Sequence, residues 1–324
     1  MNEYVLVAAG FALLIFGAEA LVHGGVAIAR RLHVSPLLIG VTIVAYGTST
    51  PELLVSVNAS VNQAYGIAVG NVVGSNIFNI LGILGLTALV APITVSPRAI
   101  GREGIFALVA AGLFIWLALR LPEFGWFEGV LMLSVLLAML LISYAQESAA
   151  GTEPDGSRYM KERPLEHSAL VDIGLILVGV ALLILGAEVL VQSSITIARE
   201  NGISETVIGL TLIAAGTSLP ELATSVVAAL RGNPDIALGN VVGSNIYNIL
   251  AILGVASVLG PVEIDQQIRA VDMWVMLAAT AALFLPLLFA NRMGRFYGLL
   301  LVAGYLAYVG YLFQKAGLVH LPIN

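Results

Sequence analysis

The chain is written twice. Sliding the sequence on itself gives one dominant offset of 169 residues, which holds without a gap for more than 70 positions. GAEALV at 17–22 meets GAEVLV at 186–191, LIGVT at 38–42 meets VIGLT at 207–211, and GTSTPEL at 47–53 meets GTSLPEL at 216–222. GNVVGSNIFNIL at 70–81 returns as GNVVGSNIYNIL at 239–250, with 11 of 12 positions unchanged. Whatever one half folds into, the other must repeat.

The solvent for that fold is lipid. Of 324 residues, 59% are hydrophobic and only 10% charged, with a mean hydropathy of +0.98; soluble domains carry about 25% charged residues. Several apolar runs reach the roughly 20 residues that cross a bilayer core. They predict an all-α integral membrane protein of ten transmembrane helices, five per half: 4–28, 37–63, 68–90, 104–120 and 124–144, then 170–197, 207–230, 236–259, 273–289 and 297–313. Residues 1–144 form the first repeat, 145–168 a polar linker and 169–324 the second repeat. MNEY at the start lacks the positive charge of a secretory leader, so the first apolar run is expected to stay as a helix.

An odd number of spans per repeat turns the halves upside down relative to one another, the inverted repeat of many secondary transporters. The loops after spans 1, 3, 5, 7 and 9 hold ten of the 14 Lys and Arg residues. The positive-inside rule then puts both termini outside the cell membrane and the linker in the cytoplasm. Absent cysteine excludes disulfides and thiolate chemistry, and the four scattered histidines lack metal-ligand spacing. No basic tract suggests nucleic acid.

Within this apolar chain, Glu52 and Glu221 fall in the middle of spans 2 and 7. An ionised group there is costly, about 2.5–3.5 kcal/mol on insertion scales, and no Lys or Arg is at mid-span to pair with either. Pro51 and Pro220 lack a backbone N–H and are expected to break helices 2 and 7, freeing carbonyls near Ala45 and Ala214. Thr48 and Ser49 lie four and three residues before Glu52, on one face of an unbroken helix; Thr217 and Ser218 repeat this before Glu221. On spans 3 and 8, Asn71-Ser75-Asn79 and Asn240-Ser244-Asn248 make polar stripes beside Gly70-xxx-Gly74 and Gly239-xxx-Gly243. The glycines, with Asn76 and Asn245, read as a helix-packing seam with interhelical hydrogen bonds. Ser75, Ser244, Asn79 and Asn248 are expected to face the acids. Every such group is an oxygen donor, which suits Ca²⁺ and Na⁺ and disfavours zinc, copper, iron and, for its reluctance to dehydrate, Mg²⁺.

At these residues the sequence resembles the sodium/calcium exchanger family of the cation/Ca²⁺ antiporter superfamily, in its prokaryotic form without a large regulatory loop. GTSTPEL with GNVVGSNIFN, and GTSLPEL with GNVVGSNIYN, carry the resemblance. It implies a secondary antiporter exchanging Na⁺ for Ca²⁺ by alternating access, not an enzyme, with no cofactor and a monomeric transport unit in the bilayer. It implies Glu52 and Glu221 as shared Ca²⁺ and Na⁺ ligands, with backbone carbonyls of Thr48 and Thr217 at the calcium site. Ser49 and Ser218, with the Ala45 and Ala214 carbonyls, would build flanking sodium sites; Ser75 and Ser244 would be their partners across the repeat. Asn79 and Asn248 match central amide-or-acid positions, and some relatives carry Asp where Asn248 stands. In the family picture spans 1 and 6, which here carry Glu19 and Glu188, slide across the other eight; those two acids are expected to snorkel or pair. Three Na⁺ per Ca²⁺ would be electrogenic. A Ca²⁺/H⁺ antiporter on the same scaffold is the rival reading. A cation channel fits one central site in an inverted repeat less well, and an intramembrane hydrolase lacks a His or Lys base at mid-span.

Overall fold

The computed structural model describes residues 2–94, 97, 100–149, 168–201, 214–288 and 292–315. The fold is all-helical apart from two ladders of two-residue strands. Its helices are α1 (Glu3–Leu32), α2 (Pro36–Thr48), α3 (Thr50–Val61), α4 (Gly66–Val90), α5 (Gly101–Arg120) and α6 (Trp126–Ala149). The second half gives α7 (Ala169–Glu200), α8 (Leu219–Leu230), α9 (Pro234–Leu259), α10 (Met273–Ala282) and α11 (Arg295–Lys315). Among the described residues seven helices are long and apolar enough to cross a membrane, and α2 with α3, bent by 50°, makes an eighth candidate span. Phe11, Phe16, Leu54, Trp116, Leu170 and Phe296 are exposed on the outside, an apolar surface that lipid rather than water would cover.

Most of the polar linker, 150–167, lies outside the described residues, as does 207–213, the start of the expected seventh span. The first span is longer than expected. The ninth ends early, at Ala282, followed by a turn and the short helix Leu285–Leu288.

α1 and α7 pack antiparallel along their lengths. A Cβ on Gly10, Gly17 or Gly24 would come within about 3 Å of the backbone of Leu190, Leu183 or Asp172 respectively, and one on Gly179 would lie 2.6 Å from the Leu21 nitrogen. Glycine every seventh residue keeps a bare strip on one face, letting two backbones approach as closely as helices in lipid can. Arg31 at the end of α1 pairs with buried Asp172 at the start of α7, Nε to Oδ2 at 2.6 Å. Glu19 pairs with Arg231.

The main core lies between α4, α5, α9 and α10, around Ile77, Ile80, Phe114, Leu250 and Met276. The α9 seam forms as expected: Gly239 and Gly243 lie against the backbone of Leu37, Gly40 and Val41. At Gly70 and Gly74 nothing among the described residues comes within 4 Å of a built Cβ; the segment equivalent to their partner, 206–210, is outside those residues. The strands tie the halves together reciprocally. β1 (Ile93–Thr94) pairs antiparallel with β4 (Arg292–Met293), and β2 (Glu123–Phe124) with β3 (Val262–Glu263). Arg269 closes the end of α5, donating to the carbonyls of Ala118, Leu121 and Pro122 at 2.6–2.7 Å.

Gly179→Val puts a Cβ into the α1 backbone, where no rotamer change relieves it. It is expected to cost at least the roughly 1–3 kcal/mol of an overpacked core, seen as a fall in Tm in detergent. Gly112→Val, at an exposed position with no neighbour within 4 Å among the described residues, should not lower Tm. Equal Tm for the two variants would contradict the close α1–α7 contact.

Candidate functional site

The helix breaks build the site. α2 ends at Thr48, Ser49 takes φ −80° and ψ 9°, and α3 begins at Thr50. In the second half the helical turn Ala214–Gly216 is followed by a turn at Thr217 and Ser218, and α8 begins at Leu219. The chain therefore breaks at Ser49 and Ser218, two residues before Pro51 and Pro220, rather than at the prolines. Each proline occupies the first turn of the new helix, where a missing N–H leaves no acceptor stranded. This corrects one expectation: with the helix interrupted at Ser49, Thr48, Ser49 and Glu52 do not share a continuous helical face.

The serines instead reach across to the other half. Ser49 Oγ donates to Glu221 Oε1 at 2.8 Å, and Ser218 Oγ donates to Glu52 Oε1 at 2.8 Å. Ser218 Oγ is also 3.4 Å from Ser75 Oγ. Both carboxyl groups sit in the first turn of their helices, where the N-terminal dipole favours negative charge, and both are fully buried. Among the described residues neither has an ion-pair partner.

The backbone at each acid is braced from the neighbouring helix. Asn71 Nδ2 donates to the Glu52 carbonyl (3.3 Å) and Ser56 Oγ (3.0 Å); Asn240 Nδ2 donates to the Glu221 carbonyl (3.2 Å) and Ser225 Oγ (2.9 Å). Thr48 Oγ1 lies 3.0 Å from Asn240 Oδ1 and 3.3 Å from the Ala45 carbonyl, which also accepts from Ser49 N–H. The Ala45 carbonyl is thus engaged rather than freed by the break. Ala214 opens the helical turn before the second break.

Asn79 and Asn248 sit in widened π-helical turns, Phe78–Leu84 and Asn248–Ile252, a form of helix frequent at functional sites. Asn79 Nδ2 donates to Asn245 Oδ1, and Asn248 Nδ2 to Asn76 Oδ1, both at 3.0 Å. With these bonds made, the remaining buried atoms are telling. Among the described residues Glu52 Oε2, Glu221 Oε2, Asn79 Oδ1 and Asn248 Oδ1 make no hydrogen bond at normal distance and angle, and the hydroxyls of Thr217 and Ser244, likewise without one, stand beside the Glu52 and Glu221 carboxyl groups respectively. A buried polar group without a partner costs about 1–3 kcal/mol, more when charged. Carboxylate and amide oxygens only accept, so they cannot satisfy one another; a cation satisfies them together. Two carboxylates with neutral oxygens suit a hard, weakly selective cation such as Ca²⁺ or Na⁺. Among the described residues no group of three or more His, Cys, Asp or Glu could hold a metal.

All the sequence-predicted residues except Ala214, whose side chain is not described, thus fall at the two breaks or on the helices beside them. Sequence reasoning missed the crossed serine bonds and the bracing role of Asn71 and Asn240. The four-residue spacing of Asn71 from Ser75 aligned it with the stripe, but only packing decides that its amide turns to the backbone of the acid.

Comparison with known proteins agrees with this architecture. Residues 2–145 and 171–314 match the family described as sodium/calcium exchanger protein. The putative antiporter CaxA of Alkalimonas amylolytica is 41% identical over 96% of this chain and 98% of its own length. The sodium/calcium exchanger MaX1 of Methanosarcina acetivorans is 34% identical over 96% and 98%. A solved structure of the sodium-calcium exchanger NCX_Mj, soaked with Na⁺ and Ca²⁺, superimposes with a TM-score of 0.80 at 33% identity, covering 96% of this chain and 99% of that one.

Glu52→Gln and Glu221→Gln should each leave the protein folded but remove its stabilisation by Ca²⁺. For the unsubstituted protein, Ca²⁺ at a hundred times its Kd should add about 2.7 kcal/mol, read as a rise in Tm in Na⁺-free detergent. An undiminished rise in either variant would remove these carboxylates from the site.

Proposed function

Since the chain belongs to the sodium/calcium exchanger family, a family of cation/Ca²⁺ antiporters in the membrane, we propose that it exchanges Na⁺ for Ca²⁺ through the site between the two breaks. The observation that carries this reading is the set of buried acceptor oxygens on Glu52, Glu221, Asn79 and Asn248 that have no hydrogen-bond partner among the described residues. Ca²⁺ takes the two carboxylates at the centre with the Thr48 and Thr217 carbonyls. Na⁺ occupies the same carboxylates and flanking positions built from Ser49, Ser218, Ser75, Ser244 and the Ala45 and Ala214 carbonyls. For the Ala45 carbonyl this means releasing the Thr48 hydroxyl. Because both ions need Glu52 and Glu221, one must leave before the other binds, and competition becomes antiport.

The fold reading is of two five-helix repeats, 1–144 and 169–324, in opposite orientation, ten spans in all. Support comes from the antiparallel packing of α1 against its counterpart α7 and from the reciprocity of the crossed bonds: Ser49 to Glu221 is matched by Ser218 to Glu52, and Asn79 to Asn245 by Asn248 to Asn76, each 169 residues away. Reciprocal contacts are what a two-fold relation between halves produces. The charge bias puts both termini outside the cell membrane and the linker in the cytoplasm. One chain supplies every ligand, so the transport unit is a monomer, with α1 and α7 sliding as the gate.

Glu52 and Glu221 give the site a formal charge of −2. One Ca²⁺ neutralises it and three Na⁺ leave +1, so a three-for-one exchange moves net charge with sodium. The rival is Ca²⁺/H⁺ antiport, since carboxylates that lose a cation can take protons. In Na⁺-loaded vesicles an outward Na⁺ gradient should drive uptake of radiolabelled Ca²⁺, and collapsing any pH gradient should not abolish it. Uptake driven only by protons would establish the rival. An inside-positive potential should speed uptake, each 100 mV contributing about 2.3 kcal/mol per charge; indifference to voltage would contradict three-for-one exchange.

A further inference from the structure

We propose that Asn76 and Asn245 are positioning residues of the ion site: each holds the ligand amide of the other half by its nitrogen, so that the Asn248 and Asn79 carbonyl oxygens stay turned toward the cation. This rests on the reading of Asn79 and Asn248 as ion ligands.

Four asparagines form a closed network between α4 and α9. Asn76 Nδ2 donates to the Asn245 backbone carbonyl at 3.1 Å, and Asn245 Nδ2 donates to the Asn76 backbone carbonyl at 3.2 Å. These two bonds fix which end of each amide is oxygen: Nδ2 is committed to the opposite backbone, so Oδ1 points the other way. There it accepts, Asn76 from Asn248 Nδ2 and Asn245 from Asn79 Nδ2, both at 3.0 Å. The ligand amides are fixed in turn. Their nitrogens are committed, and their Oδ1 atoms are the ones left buried without a partner. All four side chains are at most 2% exposed, so no bulk water competes for these bonds.

An amide free to rotate would present N–H to the site half the time and repel a cation; the network removes that state. It also accounts for the neutral residue at 248. Aspartate has no Nδ2–H, so its carboxylate would face Asn76 Oδ1, acceptor against acceptor. Asn76 could answer by flipping, which withdraws its Nδ2–H from the Asn245 carbonyl, leaving that oxygen the backbone N–H of Asn248, and turns its own carbonyl oxygen toward that buried carbonyl.

Removing partners that orient a metal ligand typically weakens affinity 10–100-fold. In full-length protein in Na⁺-free detergent, Asn245→Leu, with the same side-chain branching but unable to accept or donate, should raise the Ca²⁺ concentration for half-maximal thermal stabilisation at least tenfold. A helix-packing role alone would lower Tm without moving that midpoint. The decisive measurement is the cycle with Asn79→Ala: once the Asn79 amide is gone, adding Asn245→Leu should leave the midpoint unchanged while still lowering Tm. Additive midpoint shifts, or an unmoved midpoint in Asn245→Leu, would overturn the proposal. If Asn245→Leu does not fold, the smaller Asn245→Ser, too short to hold the Asn79 amide in place, is read in the same cycle by the same criteria. Glu52→Gln separates the two levels. A loss of Ca²⁺ stabilisation there with an unmoved midpoint in Asn245→Leu rejects the positioning role alone. Retained stabilisation in Glu52→Gln rejects the underlying site.

Discussion

Two buried carboxyl groups with no ion-pair partner among the described residues are the constraint on which the rest of this structure depends. Moving an isolated carboxylate into a low-dielectric interior is expensive, and the effective cost after relaxation is still several kcal/mol per ion. The fold lessens it in two ways: Glu52 and Glu221 sit at helix N-termini, and each accepts a hydroxyl hydrogen bond from the opposite half. In the proposed exchange, the cation satisfies the carboxylate oxygens that have no partner among the described residues. An empty site of charge −2 is the costly one to carry across a membrane, which favours exchange over uncoupled leakage.

The same constraint explains why the helices break where they do. An unbroken span would bury the acids in mid-helix with every N–H already used. By restarting at Thr50 and Leu219, the chain brings free N-terminal dipoles to the centre, and Pro51 and Pro220 occupy positions where their lack of an N–H does no harm. Asn71 and Asn240 then hold the new helices in place through the carbonyls of the acids themselves. The amides proposed as ligands come from a second pair of irregular elements, the π-turns at Asn79 and Asn248. Irregular backbone at membrane depth is tolerated where it is buried in protein or lines a cavity, and here it includes the breaks beside the two acids and the turns that carry the two amides.

Much of this was legible in the residues because lipid makes polarity conspicuous. In a chain with 10% charged residues, Glu52 and Glu221 could be picked out without a structure, and the repeat identified their companions by position. Legibility failed where the answer depended on which half a side chain turns to. Helical spacing assigned Ser49 to Glu52, three residues along the same helix; the break rotates it away, and it donates to Glu221 instead. Asn71, Asn76 and Asn79 are chemically identical in sequence, yet one donates to the backbone of Glu52, one accepts from Asn248, and one donates to Asn245 while its oxygen has no partner among the described residues.

The sequence by itself determined the solvent, the duplication, and two mid-span acids with oxygen-bearing residues repeated beside them. Each follows from composition and periodicity, which do not depend on how the helices meet. Only the tertiary structure decided the pairing: serine to the opposite glutamate, amide nitrogen to the opposite asparagine, glycine strip to the opposite backbone. Those contacts join residues some 140–200 positions apart, and a spacing rule within one helix cannot see across to another.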